Sequence, residues 1–412
     1  MLTKKLSISA TVRPTHAGPL DRYMDLFAQR LRDQQFSEES VRGQLLQAAR
    51  LGFWLHSRRL GLEDLDADAI DRHFEEQPRD LLLRRGHRAA LRRLLALLRE
   101  QSICSEEVSR VDLSPRRRVE ESFKQFLSVE RGLAPATLRL YIPVVRVLLE
   151  ERFGHGPIRL SRLRAADIIH FVQRHAREFC PKRVKLMLTA LRSFLRHLQL
   201  RGDVGADLAA FVPCVPSWTL TEIPKFLPPG AVARILKHCY RHNQEGLRDH
   251  AILLLLARLG LRAGEVVSLT LDDIDWRAGQ LRLHCKGRRS AQVPLTSEVG
   301  DALARYVQHG RPQCATRRVF IRGRAPRVGF ANSSAVCCIV ERALARAGVH
   351  SVRKGSHLFR HTLATEMLRH GASLGEIGHV LRHRHPDTTL IYAKVDLRAL
   401  RKLAIAWPGG VR

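Results

Sequence analysis

The 412 residues carry 70 Lys+Arg against 40 Asp+Glu, a formal charge of +30, and 45% of them are hydrophobic. That apolar share excludes an intrinsically disordered chain, and the length predicts two to four domains. The charge favours a polyanionic partner, because each neutralised phosphate releases condensed counterions, and arginine spread over the whole length favours nucleic acid over a membrane surface. The eight cysteines show no CxxC or CxH metal spacing, and the adjacent Cys337 and Cys338 sit among apolar residues. They are expected to be buried, reduced thiols of a cytosolic protein. No apolar run suits a signal peptide, and the stretch AILLLLA at 251–257 is too short to span a bilayer.

Residues 1–19, punctuated by Pro14, Gly18 and Pro19, read as a flexible leader. A helical module is predicted over 20–105. Leu20, Tyr23, Met24, Phe27 and Leu31 fall on one face at three- and four-residue steps. Ser37 then caps a second helix, with Glu38 and Glu39 suited to its N-terminal dipole. A second module, 117–202, repeats this grammar. Val41-Arg42 aligns with Leu138-Arg139, and Leu62, Leu65 and Ile70 align with Leu160, Leu163 and Ile168. Any two amphipathic helices resemble each other, but matched order through four helices predicts a duplication.

Five prolines between Pro213 and Pro229 mark 203–229 as an extended linker. In the last domain, 230–412, two helices precede a β-hairpin in which Leu281 and Leu283 oppose Val293 across the basic loop KGRRSA. Helices resume at Ser297, with an extended interruption over 317–329, and Asp396–Ala406 reads as a short amphipathic tail helix. The expected fold is mainly α with a small antiparallel sheet in an α+β C-terminal domain.

Chemistry concentrates in the last domain. Arg262 follows a buried helix and lies three residues before Glu265; taken alone, the two read as a structural ion pair. Lys286 sits at the hairpin tip, where a solvated basic turn is the ordinary outcome. His357 and Arg360 share a face at a helix start, with His361 beside them, and periodicity leaves open which imidazole turns inward. His383 and His385 flank Arg384 in a turn fixed by Pro386, and no carboxylate or cysteine completes a metal set with His379. Tyr392 follows; a lone tyrosine is usually a half-buried core residue.

The segments GLRAGEV, HCKG before VPL, SHLFRHTLAT and VLRHRHPDTTLIY together resemble the boxes of the tyrosine recombinases, the phage integrase family. The resemblance covers about 226–400, and more loosely the second module, which is similar to the family's SAM-like core-DNA-binding domain. It implies that Tyr392 is a nucleophile leaving a 3′-phosphotyrosyl enzyme, with Arg262 and Arg360 gripping the non-bridging oxygens. Lys286 would protonate the leaving 5′-oxygen, His357 would assist proton transfer from Tyr392, His383 would bond a phosphate oxygen, and Glu265 would support the neighbourhood of Arg262 and His357. His361, His379 and His385 are then expected to be structural. No cofactor or metal is implied, because the covalent bond conserves the phosphodiester energy.

The implied protein is a cytoplasmic, nucleoid-associated site-specific recombinase or integrase of a mobile element. Its implied partners are double-stranded DNA and its own copies in a tetrameric synapse, or related recombinases, with the helical modules and catalytic domain clamping the duplex and the tail helix docking on a neighbour. The alternatives are a type IB topoisomerase and a non-catalytic DNA-binding accessory protein. Two departures stand out: Arg382 where the family usually has glycine, and Gln292 where it usually has arginine.

Overall fold

The computed structural model describes residues 18–76, 86–104, 114–154, 156–214, 223–285, 289–352, 354–396 and 400–401. The chain divides into two compact units, one of residues 101–219 and one of residues 1–100 with 220–412.

Residues 18–100 begin with a 3-10 turn and continue through α1 (Met24–Asp33), α2 (Glu38–Ser57), α3 (Ala67–Glu75) and α4 (His87–Glu100). Ser37 accepts from the Ser40 N–H and Asp66 from the Ala69 N–H, so α2 and α3 start at side-chain caps. The unit of 101–219 holds α5 (Pro115–Gln125), α6 (Pro135–Phe153), α7 (Ala165–Ala176) and α8 (Pro181–Leu200). Proline stands in the first turn of α5, α6 and α8, where its missing N–H costs nothing.

The two modules share element order and buried positions. Leu65 and Ile70 are buried in one, and Leu163 and Ile168 in the other. Ala90, Leu91, Leu94, Leu97 and Leu98 of α4 have buried counterparts in Met187, Leu188, Leu191, Phe194 and Leu195 of α8, all 97 positions on (187 − 90). Their charges differ sharply. Residues 18–100 hold 15 Arg against 14 Asp+Glu, whereas 114–212 hold 19 Lys+Arg against 9 Asp+Glu. The first module is therefore nearly neutral and the second strongly cationic.

In the last domain, α9 (Ala231–Cys239) and α10 (Gln244–Arg258) precede α11 (Ala263–Ser268). Residues 251–256 of α10 are all fully buried, so this helix is the axis of the main core. Strands β1 (Ile274–Asp275), β2 (Gln280–Cys285) and β3 (Arg289–Pro294) form an antiparallel sheet in that order. Leu281 pairs with Val293 and Leu283 with Ala291, which puts both leucines into the core. Helices α12 (Ser297–Arg305), α13 (Ser334–Arg346), α14 (His357–Arg369) and α15 (Leu374–Val380) come next, with short 3-10 turns over Pro386–Thr388 and Leu390–Val395.

A second, smaller core gathers Ala364, Leu368, Ile377, Leu381 and Tyr392. It lies apart from the main cluster and is built entirely from α14 and the elements C-terminal to it. The expectation of buried Cys337 and Cys338 is corrected here: Cys338 is exposed and Cys337 half-buried. Val336, Ile339 and Val340 fix the inward face of α13, and steps of 100° carry the two cysteines off it. Most of the expected tail helix over Asp396–Ala406 lies outside the described residues. Among the described residues, no helix is long and apolar enough to cross a membrane.

Candidate active site

The site forms where the end of α10, the start of α14 and the end of α15 meet. Helix α10 gives way to Gly260, whose φ of +57° is the left-handed conformation glycine adopts most readily. A Cβ there would lie 2.8 Å from Leu381 Cδ2 and 3.1 Å from Leu363 Cδ2, so the close approach of α14 and α15 also calls for glycine.

This turn delivers Arg262 to the N-terminus of α11. The Arg262 main-chain N–H donates to Glu265 Oε2 at 2.9 Å, and its Nη1 donates to Oε1 at 2.7 Å. Burial of Glu265 favours its neutral form, but the bonds from Arg262 and the charge of Arg382 outweigh that and hold the carboxyl below its usual range. The expected Arg262–Glu265 pair is thus present, with the carboxylate buried and the guanidinium partly open.

Arg360 projects from the first turn of α14 and is 5% exposed. It donates to the main-chain oxygens of Gly260 and Leu381, joining the ends of α10 and α15 through one planar group. Burial, with Arg262 and Arg382 nearby, pushes its pKa down to about 10, which leaves it charged at neutral pH. Thr362, two residues on, accepts from the Leu227 N–H at 2.9 Å and ties α14 to the chain entering the domain.

Tyr392 is 1% exposed, and its hydroxyl is 3.0 Å from His361 Nδ1. Burial pushes the phenol up to about 12, partly offset by Arg360, so it holds its proton at neutral pH. The His383 ring lies parallel to that of Tyr392, with centroids 6.5 Å apart. Its Nδ1 is 2.7 Å from Thr389 Oγ1. Burial, reinforced by the charges of Arg360 and Arg262, pushes His383 down to about 4 and keeps it neutral.

The structure therefore gathers Arg262, Glu265, Arg360, His383 and Tyr392. Lys286 lies outside the described residues. His357 is on the exposed side of α14, with its ring centroid 6.4 Å from that of His361. The imidazole at the phenol is His361, which sequence reasoning set aside as structural. His357 and His361 are four apart on one helical face. Only the returning position of Tyr392 chooses between them, and no local pattern carries that choice.

Arg382 is the other residue whose contacts the sequence hid. It has φ +54° and folds its side chain back over the end of α10. Glycine's ease at such a φ accounts physically for the family's usual residue at this position.

Helical modules joined to an α+β domain, with the buried Arg360 and the half-buried Arg262 and Arg382 around one tyrosine, fit a DNA strand-transfer recombinase. The chain belongs to the phage integrase family, the tyrosine recombinases: residues 225–398 match the model described as "Phage integrase family", and relatives 47% and 31% identical span 95% and 100% of the chain. The protein y4rA of Sinorhizobium fredii, named as an integrase/recombinase, is 47% identical over 395 residues, covering 95% of each chain. Tyrosine recombinase XerD of Xanthomonas axonopodis is 30% identical over 290 residues, 69% of this chain and 94% of that one. Among solved structures, the site-specific recombinase XerH bound to palindromic difH substrate shares the fold at TM-score 0.54 and 13% identity, over 95% of this chain and 98% of that chain. A lambda integrase dimer bound to a COC' core site does so at 0.50 and 15%, over 67% and 94%.

Proposed function

We propose that Tyr392 attacks the scissile phosphorus of a duplex, forming a 3′-phosphotyrosyl bond as the bond to the 5′-oxygen breaks. The observation that carries this reading is the single phenol held against His361 and His383 beside the buried Arg360. The phenol proton passes to His361 Nδ1, with His357 one turn away on the same face. Arg262 and Arg360 offset the charge that develops on the non-bridging oxygens. Two carbonyls occupy only part of the Arg360 donor set, which leaves further N–H groups for phosphate. Lys286 protonates the departing 5′-oxygen.

The protein acts on the nucleoid as a site-specific integrase of a mobile element, in a tetramer of its own copies or with related recombinases. The integrase name of the full-length relative supports the mobile-element reading. To test the chemistry, the full-length protein is mixed with fragmented host DNA, denatured, and the DNA that stays attached is sequenced. Wild type should yield adducts at one sequence, and Tyr392→Phe none while binding the recovered duplex with unchanged affinity. An adduct formed by Y392F, or none formed by wild type, refutes the reading.

The second helical module is the main grip on the phosphate backbone, since it holds most of the modules' excess charge. Arg42 and Arg139 occupy matching, exposed positions, but Arg42 lies within the field of Glu38. Arg139→Gln should lower affinity and flatten the plot of log affinity against log salt by ~0.9, the loss of about one phosphate contact. Arg42→Gln should leave that slope unchanged. Equal flattening by both would show that the two modules share the grip.

A further inference from the structure

We propose that Arg382 is a positioning residue for strand cleavage, a third cation that engages Glu265 so that Arg262 and Arg360 present their charge to the scissile phosphate. This rests on the phosphotyrosyl reading of the same site.

The backbone gives the first indication. Arg382 adopts φ +54°, a conformation that costs an L-residue with a long side chain and that glycine adopts freely. Such a residue persists where its surroundings over-determine it. Here they do so through the side chain, which is 11% exposed. Nη1 donates to the Val380 oxygen at 3.0 Å and to the Leu259 oxygen at 3.3 Å, while Nη2 lies 3.4 Å from the Gly260 oxygen. Arg382 and Arg360 thus share the Gly260 carbonyl at the end of α10. The main-chain oxygen of Arg382 in turn lies 3.4 Å from Arg262 Nη2. One residue touches the supports of both arginines.

Charge gives the second. Glu265 faces Arg262 through two bonds, and Arg382 Nη2 reaches its Oε2 at 3.4 Å. Arg262 and Arg360 against Glu265 alone leave one net positive charge, and Arg382 raises it to two. His383 adds none, being neutral. A phosphodiester gains negative charge as the phenolate adds, and a preorganised second unit of positive charge offsets that gain at the moment it appears.

The test uses the full-length protein and the duplex recovered by covalent trapping, with either a normal scissile phosphodiester or a methylphosphonate there. The methylphosphonate replaces a charged oxygen by a methyl group, so a cation that offsets phosphate charge is no longer needed. Arg382→Gly suits the local φ and should fold and bind DNA as wild type does. It should form the tyrosyl adduct ~10- to 100-fold more slowly on the phosphodiester, yet within about threefold of wild type on the methylphosphonate. Arg382→Lys should recover part of the phosphodiester rate by restoring charge.

An equal loss on both substrates means that Arg382 is only a strut, and a wild-type rate for R382G on the phosphodiester means that it does nothing for cleavage. Either overturns the proposal while wild-type adducts keep the phosphotyrosyl reading intact. Absence of wild-type adducts removes both.

Discussion

Arg360→Ala is expected to abolish detectable cleavage and to loosen the packing of α14 and α15 against α10. The side chain is buried and is the donor for two main-chain oxygens, those of Gly260 and Leu381. Truncation strands the Leu381 oxygen, at about 1–3 kcal/mol, leaves the Gly260 oxygen only the 3.4 Å contact from Arg382, and opens a cavity. The cluster around Tyr392 is a satellite core with few residues of its own, so this loss is large against its local stability.

The effect should be read locally, by hydrogen exchange of α14 and α15, because the chain holds two compact units and one melting temperature would mix them. Exchange there should speed up by the factor matching a loss of ~2–4 kcal/mol, while α5 to α8 keep wild-type protection. Arg360→Lys should rescue little, since one ammonium cannot reproduce a planar fork that joins two carbonyls. If R360A kept wild-type protection in α14 and α15, the bridge would be an ornament of the fold and Arg360 would act on phosphate alone.

Much of the architecture was legible because it follows local rules. The apolar run over 251–257 is too continuous for a surface helix, and it became the core axis. The alternation of Leu281 and Leu283 fixed the hairpin register against Val293. Glu265, three residues after Arg262, lies where a first-turn acid meets the helix start. Of the module positions paired by spacing, Leu65 with Leu163 and Ile70 with Ile168 are buried in both, whereas Val41 and Leu62 are buried and their counterparts Leu138 and Leu160 only half-buried.

The features that escaped the sequence depend on chain segments far apart in number. Cys337 and Cys338 sit in an apolar stretch, but helix phase, not composition, decides which side is covered. Arg382 obeys no propensity at its φ, and its partners Leu259 and Gly260 lie more than 120 residues earlier. The family pattern marked the position as unusual without saying what the side chain would touch.

The choice between His357 and His361 is decided by Tyr392, and it sets the last expected result. A phenol raised to about 12 is almost wholly protonated at neutral pH, so attack requires a base within reach. His361 Nδ1 is at 3.0 Å, and the neighbouring His383 is held neutral. His361→Gln keeps a polar group at the phenol but removes the base, and should slow adduct formation ~10²- to 10⁴-fold with DNA binding unchanged.

Replacing the bridging 5′-oxygen of the substrate by sulfur separates base from acid, because a thiolate departs without a proton. A Lys286→Ala defect should shrink on that substrate, as befits a lost acid, whereas the H361Q defect should persist. Rescue of H361Q by sulfur would place His361 on the leaving-group side. A wild-type or faster rate for H361Q would mean that the hydrogen bond stores Tyr392 in its buried cluster. His357, on the outer face of α14, would then be the residue that receives the proton once the phenol has left it.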